Sequence, residues 1–127
     1  MVVELVCVGT ELLLGNIVNT NAAYLSEMCA RLGLSMYYQT VVGDNEERMY
    51  GVISQAVERS DVVILCGGLG PTQDDMTKEV AAKVMGKKLV EDEHSRRCIQ
   101  EYMDNYLISH PDMTLTANNW KQAMVPE

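Results

Sequence analysis

The chain has no phenylalanine, one tryptophan, three prolines, two histidines and ten basic residues against eighteen acidic ones. Each shortage removes a class of function. At a formal charge of -8, no long-range field draws the chain onto nucleic acid or anionic lipid, so neither is an expected partner. A polyphosphate ligand would need local backbone amides or a metal ion. His94 and His110 have no carboxylate or cysteine at ligand spacing, which predicts solvated side chains. The cysteines at 7, 29, 66 and 98 form no CxxC pair, which argues against zinc and for small buried apolar side chains in a reducing compartment. The longest apolar stretch near the start, Val2 to Leu14, is broken by Glu4, Thr10 and Glu11 and has no basic lead-in. It reads as neither signal peptide nor membrane span, and a cytoplasmic location is expected.

What is present describes one soluble α/β domain over residues 1–127. A mass of 14.2 kDa predicts about 6,800 Å² of folded surface, room for one core. Residues 2 to 8 form a β-branched run ending at Gly9, as in a strand buried on both faces. Ala22, Leu25, Met28, Cys29 and Leu32 then lie on one helical stripe, with Asn19 or Thr20 to cap it and Gly33 to end it. Leu34 to Val42 is a second strand. Asp44, with Glu47 three residues on, predicts a capping box for a helix carrying Met49, Val52, Ile53, Ala56 and Val57. Asp61 to Cys66 is a third strand, followed by a helix from about Asp74 to Met85. Lys88 to Val90 reads as an edge strand, and Asp92 caps a last helix through Ile99, Tyr102, Met103 and Tyr106. Alternation of this kind implies a mostly parallel sheet between helical layers, a three-layer α/β/α fold. A strand-like run at Ala123 to Val125 lies where the sequence stops, so a domain cut short at its carboxyl end is expected.

In such a sheet, ligands bind beyond the carboxyl ends of the strands. Gly67, Gly68 and Gly70 lie in one such loop and allow backbone to approach an anion before the next helix. Asp74 and Asp75 follow. Two adjacent carboxylates beside a phosphate site would repel a polyphosphate unless a cation lay between them, and Mg²⁺ suits oxygen ligands. Capping accounts for one Asp, not for both. Thr72 and Thr77 are further candidates in this segment. In the first loop Glu11 is a lone carboxylate among apolar residues, directed either to solvent or to the same site. Thr10, Asn19, Asn21 and Asp44 surround the same end of the sheet, with capping roles open for Asn19 and Asp44. Lys121 is expected to be solvated, and the placement of Asn119 and Gln122 stays open.

Taken together, Gly9-Thr10-Glu11-Leu12-Leu13-Leu14-Gly15 with Asn19-Thr20-Asn21, Val42-Gly43-Asp44-Asn45, the run Gly67 to Thr77 and the segment Asn119 to Pro126 resemble the amino-terminal domain of the CinA family. These are competence- and damage-inducible proteins whose domain is similar to the molybdopterin-binding MoaB and MogA proteins. The resemblance implies a pterin- or nucleotide-phosphate site, with Gly67, Gly68, Gly70 and Thr72 on phosphates, Asp74 and Asp75 on a divalent cation (Mg²⁺, Co²⁺ or Ni²⁺) and Glu11 as a supporting acid. It also implies a homo-oligomer.

Two functions follow as expectations. The first is metal-dependent hydrolysis of an ADP-ribose-like nucleotide diphosphate sugar, with Glu11 or an Asp taking a proton from metal-bound water. The second is a non-catalytic module that holds molybdopterin or a nucleotide without turnover.

Overall fold

Alternate residues of the first strand are buried on opposite faces, and that alternation sets the layers. In the computed structural model, which describes residues 1–127, β1 (Val2–Val8) lies between β2 (Ser35–Val42) and β3 (Val62–Cys66). All pairings are parallel, in the order β2-β1-β3. Val6 and Val8 join Met49, Ile53 and Ala56 of α3 (Glu46–Arg59) and Val80 of α4 (Thr77–Val84) in one core. Leu5 and Cys7 face the other way, against Ala22 and Leu25 of α2 (Thr20–Arg31). The three-layer α/β/α reading holds, with one helix on one face and two on the other.

Glu4 shares a face with Val6 but is fully buried, because Arg59 at the end of α3 meets it through two hydrogen bonds of 2.9 and 2.6 Å and Ser60 adds a third of 3.1 Å. Arg59 also stacks on the Tyr38 ring, 3.6 Å from its centroid. The charge is tolerated because both carboxylate oxygens are satisfied.

A short helix absent from the sequence reading, α1 (Thr10–Leu13), follows β1. The stretch expected as an edge strand of the main sheet, β4 (Leu89–Glu91), instead pairs antiparallel with β5 (Met124–Pro126) in a separate two-stranded sheet. Between them run α5 (Glu93–Ser109), capped by Asp92 as expected, and a 3₁₀ helix over Ala117–Ala123. No residue of α5 is buried, and the outer edges of β2 and β3 are unpaired. These features raise the accessible surface to 8281 Å². Cys98, on α5, is exposed rather than buried as the composition suggested, while Cys7 and Cys29 are buried. No helix is long and apolar enough to cross a membrane.

Candidate functional site

Three loops leave the carboxyl ends of β1, β2 and β3, and two of them clasp each other. Asp44 Oδ2 accepts hydrogen bonds from the Thr10 backbone N–H at 3.0 Å and from its hydroxyl at 2.8 Å, while Thr10 Oγ1 accepts from the Asp44 N–H at 3.1 Å. Asp44 therefore serves the start of α1 and does not cap α3. That role falls to Asn45, whose Oδ1 accepts from Arg48 N–H at 3.0 Å. Thr10 and Asp44, both expected on a ligand, are thus spent on joining the loops.

Glu11 folds over Gly9, where a Cβ would meet its Oε1 at 2.6 Å. With Cys7, Asn19, Asn21, Cys66 and Gly67 it borders a cleft of about 130 Å³ at the end of the sheet. Asn19 caps α2 through a 3.1 Å bond from Ala22 N–H, and Asn21 Nδ2 lies 3.7 Å from the Cys66 sulfur. Burial pushes the Cys7 thiol up from its ordinary value, opposed by a hydrogen bond with Asn19. This keeps it an un-ionised, core-type thiol.

The glycine loop is built for self-contact. Gly67 and Gly68 have φ of 98° and 62°, in the left-handed region. A Cβ on Gly67 would overlap the Val8 carbonyl, one on Gly68 the Thr77 hydroxyl, and one on Gly70 the Asp75 carboxylate. The room that the glycines provide is taken by the protein itself. Thr77, 1% exposed, donates from Oγ1 to the Gly67 carbonyl at 2.8 Å, so it braces the loop and is closed to a ligand.

Asp75 turns back to accept from the Thr72 N–H at 3.0 Å and the Thr72 hydroxyl at 2.5 Å. The Thr72 hydroxyl holds the Asp75 carboxyl below its ordinary value, assisted by loop N–H groups of Gly70 and Thr72 and the charge of Lys121. Because of this turn α4 begins at Thr77, and neither Asp74 nor Asp75 caps it. Asp74 is exposed.

The carboxyl-terminal segment supplies the remaining wall. Lys121 donates from Nζ to the carbonyls of Thr72, at 2.8 Å, and Asp75, and lies 3.4 Å from Glu79. Gln122 Nε2 donates to the Leu69 carbonyl at 3.3 Å. Lys121 is thus a brace and not the solvated side chain expected from sequence, whereas Asn119 turns to Thr116 within its own 3₁₀ helix. Lys78 donates to the Lys121 carbonyl at 2.9 Å, and burial lowers its ammonium below the ordinary value. Between brace and loop opens a groove of about 550 Å³, bordered by Thr72, Gln73, Glu79, Lys83, Asn118 and Lys121.

The candidate residues therefore divide between two places. Glu11, Asn19, Asn21 and Gly67 meet at the sheet-end cleft, while Thr72 lies on the groove. No three His, Cys, Asp or Glu side chains converge as a metal-holding group. With Asp75 committed to Thr72, Asp74 is the one carboxylate of the pair left free, and this donor set does not fit a resident divalent cation. Lys83, at the groove, had no sequence signal beyond its place in the last turn of α4.

A family model described as a probable molybdopterin binding domain matches residues 4–126. The chain belongs to that family, on its CinA branch. Its structure superposes on CinA from Thermoplasma acidophilum, a protein described as of unknown function, with a TM-score of 0.86 and 35% identity, covering 99% of this chain and 71% of that one. MoaB from Thermus thermophilus, a molybdopterin biosynthesis enzyme, shares the fold at a TM-score of 0.61 and 20% identity over 65% of this chain and 53% of its own. Competence-damage inducible proteins of Streptococcus thermophilus and Clostridium beijerinckii are 50% and 49% identical over all 127 residues. The chain spans 29% and 30% of the lengths of those two CinA-type relatives.

Proposed function

We propose that this CinA-type domain is a binding module for a phosphorylated pterin of molybdopterin type or a related nucleotide, held without turnover. The observation that carries this reading is the braced groove: Lys121, Gln122 and the Asp75–Thr72 turn fix the glycine loop before any ligand arrives. Preorganised polar groups lose little freedom on binding, which is what a binding site requires. Backbone of Thr72 and Gln73 and the ammonium of Lys83 are the groups offered to an anion at this groove. Membership of the molybdopterin-binding family supports the same ligand class.

A second reading, hydrolysis of an ADP-ribose-like diphosphate, draws on the exposed carboxylate of Asp74 beside the loop. A divalent cation would then arrive on the substrate's phosphates, supplying charge neutralisation, with Asp74 as its one free protein carboxylate. The unpaired edges of β2 and β3 favour assembly with further copies, which sedimentation measures.

Calorimetry with molybdopterin and with ADP-ribose, each with and without EDTA, separates the two functions. The binding module takes up the pterin equally in EDTA and releases no AMP from ADP-ribose. AMP release with Mg²⁺, Co²⁺ or Ni²⁺ that disappears in Asp74→Asn would establish the hydrolase instead.

A further inference from the structure

The groove beside the glycine loop does not end at Lys83. A second cleft of about 390 Å³, lined by Asn45, Glu46, Glu47, Tyr50 and Lys83, shares Glu46 and Lys83 with it. The only partition that these shared residues build is their ion pair, 2.7 Å long and well exposed on both sides. Exposed pairs of this kind are weak, so an incoming phosphate can take Lys83 from Glu46 at little cost. The two clefts are then one trough, with phosphate-binding groups at one end and an aromatic ring at the other.

The far end has a definite chemistry. Glu46, Glu47 and Tyr50 lie three and four residues apart, on one face of α3. Lys83 Nζ stands 5.6 Å from the Tyr50 ring centroid, so the ring's face already receives a charged group. Glu47 is exposed and takes part in none of the ion pairs of the chain. A first-turn carboxylate favours the helix dipole anywhere, but the dipole does not require an aromatic side chain and a shared wall with a phosphate groove.

We propose that Glu47 and Tyr50 form the ring subsite of this trough and select a 2-amino-4-oxo heterocycle, the ring edge common to pterin and guanine. That edge presents an N–H and an amino group side by side, two donors for the two acceptor oxygens of a carboxylate. Adenine places an acceptor nitrogen beside its amino group and would leave one carboxylate oxygen facing a lone pair. Tyr50 stacks on the ring and Lys83 bridges to the phosphate. This assignment rests on the binding function proposed above and decides which ring that function serves.

Calorimetry on the intact chain with GMP, AMP and inorganic pyrophosphate tests it. GMP is expected to bind about tenfold tighter than AMP, the discrimination typical of one well-made bidentate pair. Glu47→Gln should bring GMP to the level of AMP, and Tyr50→Ala should weaken both about tenfold through lost stacking. Pyrophosphate affinity should be unchanged in either variant. Both side chains are exposed, so thermal melts of the two variants should match the parent chain and rule out misfolding. Equal affinities for GMP and AMP, or a Glu47→Gln variant that keeps the preference, would overturn the ring subsite while pyrophosphate binding leaves the phosphate groove standing. If pyrophosphate and both nucleotides fail to bind, the binding function falls with it.

Discussion

Asp44 and Thr10 exchange three hydrogen bonds across 34 residues of sequence, two accepted by the Asp44 carboxylate and one by the Thr10 hydroxyl. The pair fixes the loop after β2 to the first turn of α1. A cap made by a distant residue does the work of a local one.

Asp44→Ala should therefore cost about 1 kcal/mol, the value of a lost cap, and act on α1 and not on α3. Hydrogen exchange provides the measurement: the Thr10 amide should lose protection while that of Arg48, held by Asn45, keeps it. Loss of protection at Arg48 alone would return the capping role to Asp44.

Two glycines in the left-handed region should respond very differently to alanine. Gly15, at φ 71°, has no atom within 4 Å of a built Cβ, so Gly15→Ala carries only the backbone penalty of about 1–2 kcal/mol. Gly67→Ala adds a clash with the Val8 carbonyl, which belongs to the sheet and cannot move aside. Urea denaturation should show Gly67→Ala as the more destabilised by a clear margin. Similar midpoints for the two would mean that the glycine loop relaxes freely.

The layers were legible in the sequence because each rests on local periodicity. The alternation of Val2 to Val8, the helical stripe from Ala22 to Leu32 and the Met49-to-Val57 stripe each specify a face without reference to the rest of the chain. The candidate site was less legible for the same physical reason. Asp44 fits a capping box locally, yet Thr10 competes for it from another loop, and Asn45 takes the vacated cap. Asp75 looked surplus to capping and so looked catalytic, whereas its partner is Thr72 three residues back, inside a turn that delays α4 to Thr77. Lys121 reaches carbonyls 46 and 49 residues away from a segment with no periodic pattern. No sequence spacing encodes a contact of that kind. Glycines 67, 68 and 70 were rightly seen as a place of close approach, but what approaches is Val8, Thr77 and Asp75.

Glu4 gives stability a pH dependence of known sign. The Arg59 guanidinium holds its carboxyl below the ordinary value of 4.5, opposed by burial and helped by the Ser60 hydroxyl. A carboxylate depressed in the folded state contributes its full stability above the unfolded value and loses it as pH falls through the folded one. Thermal melts should accordingly decline below about pH 4.5 in the parent chain. Glu4→Gln should cost about 2 kcal/mol at pH 7, as for a lost charged hydrogen bond, and flatten the acid slope. An unchanged slope in that variant would place the acid sensitivity elsewhere.

Asp75 applies the same linkage to the glycine loop. Its carboxyl is held below 3.8 first by the Thr72 hydroxyl, so the turn is intact at neutral pH and is lost as acid protonates the folded carboxylate. Asp75→Asn keeps the shape but supplies only a neutral acceptor to Thr72, a bond of roughly half the strength. Lys121→Met removes the brace on the same turn from outside, at the carbonyls of Thr72 and Asp75. Each variant should increase amide exchange through residues 67–75 and weaken pyrophosphate binding several-fold at pH 7, and the double variant should lose less than the sum because both act on one turn. Lys121→Arg, which retains the charge and the donors, should recover part of the loss. Fully additive losses would show that the two residues act on separate parts of the loop, and the braced groove would no longer explain how the loop is set.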